Sequence, residues 1–255
     1  MDIECLKVRK SIFGEGTPKI CVPIAERTEE DILRQANCIA DSSADCVEFR
    51  VDWYENHQDI EKVLDVVKKV REIIGDQVLL FTFRSEREGG EAAITVEDYM
   101  ELCKQVCKSG WIDLLDVEAF REVGLLKKLC DMAHSYHVYV VASNHDFKKT
   151  PNEEEMARRL IYMNDMGADI PKLAVMPQQE RDVLNLLSAT VRYYESGGKK
   201  PVITMSMGSL GGVTRVIGEV FGSTLTFATL GKASAPGQME LETVDEVMKR
   251  IHQSL

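Results

Sequence analysis

Eight short runs rich in Val, Ile, Leu, Phe and Thr recur along the chain at fairly regular intervals. In order they are KICVPI at 19–24, CVEFRV at 46–51, VLLFTF at 78–83, LLDVEA at 114–119, VYVVAS at 138–143, IPKLAV at 170–175, VITMSM at 202–207 and LTFATL at 225–230. Each run has the length and content of a strand that is buried on both faces of a parallel sheet. The pattern predicts eight such strands.

The segments between these runs have the apolar spacing of amphipathic helices. Apolar residues stand at positions 32, 36 and 39 after the first run, and at 60, 63, 64, 67 and 70 after the second. Thr28, Thr95 and Thr150 each precede such a segment and are followed three residues later by an acidic residue, which is typical of a helix N-cap. Strand and helix therefore alternate eight times.

Eight strand–helix units fit either a closed (β/α)8 TIM barrel or a large doubly wound sheet. The chain has neither the G-x-G-x-x-G nor the G-x-x-x-x-G-K-[ST] loop that would favour the sheet. We therefore expect one (β/α)8-barrel catalytic domain that spans residues 1–255. The segment VRKSIF, followed by GEGTP, is expected to form an N-terminal hairpin that closes the bottom of the barrel.

The formal net charge of −11 restricts what such a barrel can bind. Nucleic acids and anionic membranes attract clustered positive charge, so we expect neither as a partner. No apolar run approaches the roughly 20 residues that span a bilayer, and the stretch MDIECLKVRK has no apolar signal-peptide core. We expect a cytoplasmic protein.

The seven cysteines show no paired C-x-x-C blocks of the kind that bind zinc, and we expect reduced thiols. Cys103 and Cys107 lie one helical turn apart and could clip a metal, but no companion pair of ligands accompanies them. His134 and His137 have H-x-x-H spacing without an acidic residue between them. We expect no metal site and interpret Cys103 and Cys107 as core residues.

Lys172 is the most distinctive candidate for chemistry, because it interrupts the otherwise apolar run IPKLAV. Lysine often protects exposed sheet edges, but a closed barrel has no edge strand. Burial, together with a cation such as Arg50 or Arg84, would favour the neutral and nucleophilic amine. The sequence predicts a lysine that forms a Schiff base with a small anionic substrate.

Two pairs of charged residues lie where barrels place their active sites, at the carboxyl ends of strands. Glu48 and Arg50 are two residues apart and share one side of a strand, either as a structural ion pair or as part of the site. Arg84 ends the third run, and Glu88 follows four residues later. A surface pair on a helix is the alternative there, but the two glycines after Glu88 disfavour a continuing helix. We expect Glu88 to point inward from a loop.

Further candidates follow the fifth, seventh and eighth runs. His145 lies in SNHDF, where a barrel would place a general acid or base, although a structural polar residue is the alternative. Arg215 follows three glycines, and Ser234 and Gln238 follow the last run. Loops at these places often bind phosphate, and Arg215 could instead hold a carboxylate. The residues alone leave both open.

Eight sequence blocks together resemble the type I 3-dehydroquinases, which dehydrate 3-dehydroquinate in the shikimate pathway. They are GEGTPKI, EFRVD, TFRSEREGG, SNHDF, PKLAVMP, MSMGSLGGVTR, GEVFGS and ASAPGQ, and they extend over nearly the whole chain. The resemblance implies a lyase that makes 3-dehydroshikimate for chorismate and aromatic amino acid biosynthesis. It also implies a homodimer that requires no metal or organic cofactor.

The same resemblance assigns roles to the candidate residues. Lys172 would form the imine with the C3 ketone, and His145 would move the C2 proton and then assist loss of the C1 hydroxyl, a syn elimination. Glu88 would orient and tune His145. Around the substrate, the resemblance places Glu48, Phe49, Arg50, Arg84, Arg215, Ser234 and Gln238. Met205 and Phe227 would form an apolar wall of the pocket, and a core role is the alternative for both. One departure is Pro23, which stands where some relatives have a serine.

Two other functions are alternatives for such a barrel. A class I aldolase of the transaldolase type also carries an imine lysine on the sixth strand of such a barrel. It would cleave a carbon–carbon bond in phosphorylated sugars, and His145, Glu88, Arg215 and Gln238 argue against it. A barrel that binds without catalysis would need to have lost a catalytic group, whereas Lys172 and His145 are both present.

Overall fold

The computed structural model describes residues 3–231 and 235–255. In these parts of the chain an antiparallel hairpin precedes eight parallel strands, in the spatial order β10-β3-β4-β5-β6-β7-β8-β9. The strands are β1 Leu6–Val8, β2 Ser11–Phe13, β3 Lys19–Ile24, β4 Cys46–Arg50, β5 Val78–Thr82, β6 Leu114–Glu118, β7 Tyr139–Asp146, β8 Ile170–Val175, β9 Ile203–Ser206 and β10 Leu225–Phe227. The predicted (β/α)8 barrel and its N-terminal hairpin are confirmed.

Helices separate the barrel strands and cover the outside of the sheet. They are α1 Glu29–Ala40, α2 Ile60–Ile74, α3 Val96–Ser109, α4 Leu125–Ser135, α5 Glu153–Asp165, α6 Glu180–Glu195, α7 Gly218–Phe221 and α8 Leu241–His252. Short 3₁₀ helices at Val51–Trp53, Glu86–Glu88 and Gly212–Arg215 follow β4, β5 and β9. None of the helices in the described ranges is both long and apolar enough to cross a membrane.

Two of the three threonines that were predicted to cap helices do so. The side chains of Thr28 and Thr95 accept from the backbone N–H three residues on, at the starts of α1 and α3. The prediction for Thr150 is wrong, because Asn152 caps α5 and its side chain accepts from the N–H of Glu155. Asn152 lies directly before the acidic first turn of α5, so its amide oxygen reaches the free N–H groups there.

Side-chain alternation along the strands divides the core into two layers. Cys46 belongs to the cluster inside the barrel, so Glu48 and Arg50, which follow at intervals of two on β4, also face inward. Phe49 faces the opposite way, into the layer between sheet and helices. There its ring meets that of Phe81 edge to face, with centroids 6.1 Å apart.

The hairpin closes the amino-terminal end of the barrel. Val8 and Phe13 are buried in the inner cluster. Arg9, in the turn between β1 and β2, donates through Nε to Asp113 Oδ1 at 2.7 Å, and Asp113 directly precedes β6. The opposite end, where the strands terminate, is therefore left for the functional site.

The barrel is nearly closed, with a seam between β9 and β10. Within the described ranges these strands are joined by a single parallel bridge between Val202 and Ser223 rather than by a ladder. The Ser223 hydroxyl accepts from the N–H of Thr204 at 3.0 Å and donates to its carbonyl at 3.3 Å, which replaces missing strand pairing. Lys172 lies on β8, which pairs with both neighbours and is not an edge.

Candidate active site

A pocket with an empty volume of about 520 Å³ opens at the carboxyl ends of the barrel strands. Most of the predicted site residues line it, although they come from strands and loops far apart in the sequence. Its lining comprises Glu48, Arg50, Arg84, Glu88, Gly89, His145, Phe147, Lys172, Ala174, Met205, Met207, Arg215, Phe227, Ala235 and Gln238. Met205 and Phe227 line the pocket and also belong to the inner core cluster, so both of their predicted roles apply.

Lys172 lies at the floor of this pocket. Only 2% of the residue is exposed, and on β8 it stands opposite Ser143 of β7 and Ile203 of β9. Its Nζ lies 3.4 Å from Oδ2 of Asp116 and 4.5 Å from the centroid of the Phe227 ring. The predicted burial of this amine is confirmed, and it is held between an anion and an aromatic face.

His145 lies at the same mouth and is bound to Glu88. Its Nδ1 is 2.9 Å from Glu88 Oε2, and its backbone N–H donates to that oxygen at 2.9 Å. When Glu88 is ionised it can only accept, so Nδ1 then carries the proton and Nε2 is left as the basic nitrogen. Burial, together with Arg84, Lys172 and Arg50, holds the pKa of His145 well below its usual value. The imidazole is neutral at physiological pH and can accept a proton.

The loop after β5 places Glu88 inside, as the double glycine predicts. Glu88 ends a 3₁₀ turn, and Gly89 then adopts a left-handed conformation with φ of 83°. A Cβ on Gly90 would overlap the carbonyl oxygen of Arg84, and one on Gly89 would overlap the ring of Phe147. Burial raises the pKa of Glu88 to about 7 even though Arg84 opposes this shift.

Arg84 is fixed by a network of buried carboxylates. Its Nη2 donates to Asp116 Oδ2 at 2.8 Å, and its Nη1 lies 3.4 Å from Glu118 Oε1 and 2.9 Å from Ser143 Oγ. Ser143 in turn donates to Asp116 Oδ1 at 2.7 Å. Burial would raise the pKa of Asp116, but Arg84, Lys172 and the Ser143 hydroxyl outweigh it and lower that pKa. Asp116 is therefore an anion beside the lysine.

Arg50 and Glu48 are each held by a neighbour. Arg50 makes a bidentate pair with Asp52, at 2.9 Å through Nε and 2.7 Å through Nη2. Glu48 Oε1 accepts from the Thr82 hydroxyl at 2.9 Å. Both side chains line the pocket, so their fixed groups can present hydrogen bonds to a ligand.

Arg215 differs from the other two arginines of the pocket in its partners. Its guanidinium donates to the carbonyls of Phe227 at 3.4 Å and Pro236 at 3.0 Å. In the parts of the chain that the structure describes, it forms no salt bridge, and its buried Nε has no hydrogen-bond partner. Burial lowers the pKa of Arg215 to about 10, which leaves it charged at neutral pH. Among the residues that the structure describes, this cation has no counterion.

The structure does not bring every predicted residue into the pocket. Phe49 is fully buried in the layer outside the barrel, because it alternates with Glu48 and Arg50 on β4. Ser234 lies outside the described residues, whereas Gln238 lines the pocket and accepts from the N–H of Ala235.

Sequence reasoning missed Asp116 and Glu118, which both hold Arg84. Asp116 also contacts Lys172. Their signal was the D-x-E spacing inside the run LLDVEA, which places two carboxylates on one side of a strand. The paired cysteines Cys103 and Cys107 are buried in the helix-facing core. Within residues 3–231 and 235–255, no three His, Cys, Asp or Glu side chains cluster as metal ligands would.

The barrel, with a buried lysine and a histidine–carboxylate pair in the pocket at its carboxyl end, has the site of a (β/α)8-barrel enzyme. The family described as "Type I 3-dehydroquinase" matches residues 20–255. The chain belongs to this family.

Named relatives and solved structures agree with this assignment. The 3-dehydroquinate dehydratase of Clostridioides difficile strain 630 is 44% identical over 250 residues, which covers 98% of each chain. That of Syntrophotalea carbinolica is 46% identical over 247 residues, 97% of this chain and 98% of the relative. The crystal structure of a type I 3-dehydroquinate dehydratase from Clostridium difficile, with covalently modified comenic acid, has a TM-score of 0.96 at 43% identity and covers 100% of both chains. That of 3-dehydroquinate dehydratase from Geobacillus kaustophilus has a TM-score of 0.95 at 36% identity, with coverage of 98% and 97%.

Proposed function

We propose that this chain dehydrates 3-dehydroquinate to 3-dehydroshikimate, in the shikimate pathway, by syn elimination through an imine on Lys172. The observation that carries the proposal is the presence of Lys172 and the Glu88-bound His145 in one pocket. A nucleophilic amine and a positioned base are the two groups that such a reaction needs.

The reaction begins with attack of Lys172 Nζ on the C3 ketone. Loss of the ketone oxygen as water leaves a protonated imine, whose positive charge acidifies the neighbouring C2–H bond. The buried site favours this step because little bulk water competes for the imine. The covalently modified comenic acid in the C. difficile structure supports covalent chemistry on small organic acids in such enzymes.

His145 then removes the C2 proton through Nε2. The C–H electrons move into the imine and form an enamine, so the positive charge is transferred to the imidazole. Glu88 stabilises that charge through its 2.9 Å contact with Nδ1. When the enamine electrons return, the C1–O bond breaks and the imidazolium protonates the leaving hydroxyl. The C1 hydroxyl leaves as a second water, after the one released in imine formation. One water molecule then hydrolyses the product imine, so that the net reaction releases one water.

The charged groups of the pocket account for binding of the anionic substrate. Arg215 has no carboxylate partner of its own among the described residues, so we assign it the substrate carboxylate, together with Gln238 and Ser234. Glu48, Arg50 and Arg84 are held rigidly by their neighbours and are assigned to the ring hydroxyls. The proposed chemistry uses the imine as electron sink and needs no added metal or organic cofactor.

Borohydride reduction in the presence of 3-dehydroquinate, followed by peptide mass mapping, tests the imine. The expected result is a substrate-derived mass on the peptide that contains Lys172, and its absence in Lys172→Ala. Lys172→Ala should lose turnover while it still binds substrate, because the rest of the pocket is unchanged. Protein that dehydrates the substrate without any labelling at Lys172 would refute the mechanism.

We also propose a cytoplasmic homodimer, on the resemblance to the type I family. Sedimentation velocity of the purified chain tests the dimer, and a monomer at micromolar concentration would contradict it.

A further inference from the structure

We propose that Asn144 and Arg159 are positioning residues that hold Glu88 as a hydrogen-bond acceptor and thereby fix which nitrogen of His145 is basic. This inference rests on the proposed role of His145 as the general base. Neither residue lines the pocket, so any effect on catalysis must pass through Glu88.

A continuous chain of hydrogen bonds leads from α5 to the catalytic histidine. Arg159 Nη1 donates to Asn144 Oδ1 at 2.9 Å, and Asn144 Nδ2 lies 3.1 Å from Glu88 Oε1. The other carboxylate oxygen of Glu88 accepts from both the backbone N–H and Nδ1 of His145. Asn144 precedes His145 on β7, so alternation turns its amide away from the barrel interior and toward α5.

The arginine determines how the amide of Asn144 is oriented. A guanidinium has only donors, so the atom that faces Arg159 must be the carbonyl oxygen. The NH₂ group must then face Glu88, and because it has no lone pair to offer, Glu88 Oε1 must accept. Without Arg159 the amide could turn and present its oxygen to Glu88, an arrangement that favours a protonated carboxyl.

This donation matters because burial opposes the charged form of Glu88. Burial raises the pKa of Glu88, and Glu118 adds to this, whereas Arg84, Asn144 and the backbone N–H of His145 lower it. Loss of the bond from Asn144 therefore favours the protonated acid. A protonated Glu88 is a weaker acceptor for His145 Nδ1–H. The ring proton is then no longer held on Nδ1, and Nε2 is no longer fixed as the basic nitrogen.

The other charges that act on the pair come from β4, β6, β8 and the turn after β5, and they include Glu118 of β6, which raises the pKa of Glu88. Arg84 Nη1 lies 3.8 Å from Glu88 Oε2, and Lys172 and Arg50 both act on the pKa of His145. These groups remain in place when Asn144 or Arg159 is changed, so a shifted pH profile reports the Glu88 acceptor itself.

Helix α5 provides a matched control in the neighbouring arginine. Arg158 and Arg159 both bind Glu155, but only Arg159 reaches Asn144. The Arg158 side chain is 73% exposed against 22% for Arg159. Arg158→Met therefore removes the same kind of side chain and the same partner without touching the chain of hydrogen bonds.

The experiment compares wild type with Asn144→Asp, Arg159→Met, Arg159→Lys and Arg158→Met in a pH profile of kcat and KM. Asn144→Asp is isosteric and keeps the contact with Arg159. When ionised it cannot donate to Glu88 and it adds a negative charge beside Glu88, and both changes raise the pKa of Glu88. We expect kcat to fall about tenfold near neutral pH in Asn144→Asp and Arg159→Met, as loss of a bond to a charged group predicts. KM should change little, and borohydride labelling of Lys172 should persist.

The direction of the pH shift distinguishes positioning from general structural damage. Weaker donation raises the pKa of Glu88, so the acid limb of the profile should move to higher pH and activity should recover toward wild type in alkaline buffer. Arg159→Lys, which restores a donor, should regain most of the rate, and Arg158→Met should match wild type. Unshifted limbs in both Asn144→Asp and Arg159→Met would overturn the proposal, whereas failure of wild type to dehydrate 3-dehydroquinate would refute the function beneath it.

Discussion

At the scale of single residues, burial and hydrogen bonding decide which groups of the site titrate near neutral pH. Burial raises the pKa of Glu88 to about 7, whereas burial and neighbouring cations move the pKa of His145 in the opposite direction. The two groups share a hydrogen bond, and Glu88, with its pKa raised to about 7, is the member that changes charge near neutrality. The sequence predicted that both residues belong to one site, but it could not predict how deeply they are buried and therefore how far their pKa values shift.

The first prediction concerns the acid limb of kcat/KM for 3-dehydroquinate. Activity should fall as pH drops through about 7, because the raised pKa leaves Glu88 protonated below that value and unable to orient His145. Glu88→Gln should lower kcat by roughly 10- to 100-fold, the usual effect of removing a group that orients a residue in contact with the substrate. The substitution should also move the acid limb of kcat/KM to lower pH, because glutamine does not titrate and the limb then reports only the lowered pKa of His145. A limb that stays in place in Glu88→Gln would assign it to another group.

At the scale of elements, the turn between β5 and α3 carries Glu88 to the histidine. Its shape depends on Gly90, where a Cβ would overlap the Arg84 carbonyl. Gly90→Ala should therefore displace Glu88, with a loss of about 1–3 kcal/mol in stability from the overlap and a clear fall in kcat. Gly212→Ala is the control, because a Cβ there would meet no atom within 4 Å. Urea unfolding and steady-state kinetics measure both, and a Gly90→Ala enzyme with wild-type kcat would contradict the argument.

The elements also show what the sequence could and could not predict. The barrel strands appear within a few residues of the eight apolar runs, because continuous burial leaves a continuous apolar pattern. Lys172 stood out for the same reason, since it breaks such a pattern. Asp116 was missed because a carboxylate in a buried strand acquires meaning only through Arg84, which lies 32 residues away in sequence. Thr150 was misassigned because a second capping residue, Asn152, follows it closely.

At the scale of the whole molecule, stability and function occupy opposite ends of the barrel. The hairpin places Val8 and Phe13 in the inner cluster near the starts of the strands, and the pocket lies at the strand ends. In a (β/α)8 barrel such separation allows the lower end to be changed without altering the chemistry above it. Layers of inward side chains, including Leu80 and Ile170, lie between the two ends.

Phe13→Ala tests this separation. Phe13 is fully buried, so truncation should cost about 3–5 kcal/mol of unfolding free energy, through lost transfer energy and a residual cavity. Ile12→Ala, at a partly exposed position on the same strand, should cost less and serves as the control. Neither residue touches the pocket. KM and kcat per folded molecule should therefore stay within about twofold of wild type wherever the variant is folded. A twofold change corresponds to under about 0.5 kcal/mol. Unfolding in urea gives the first quantity and steady-state kinetics the second. A Phe13→Ala enzyme that folds but turns over slowly would mean that the inner layers transmit changes from the hairpin to Lys172, and that the two ends are mechanically coupled.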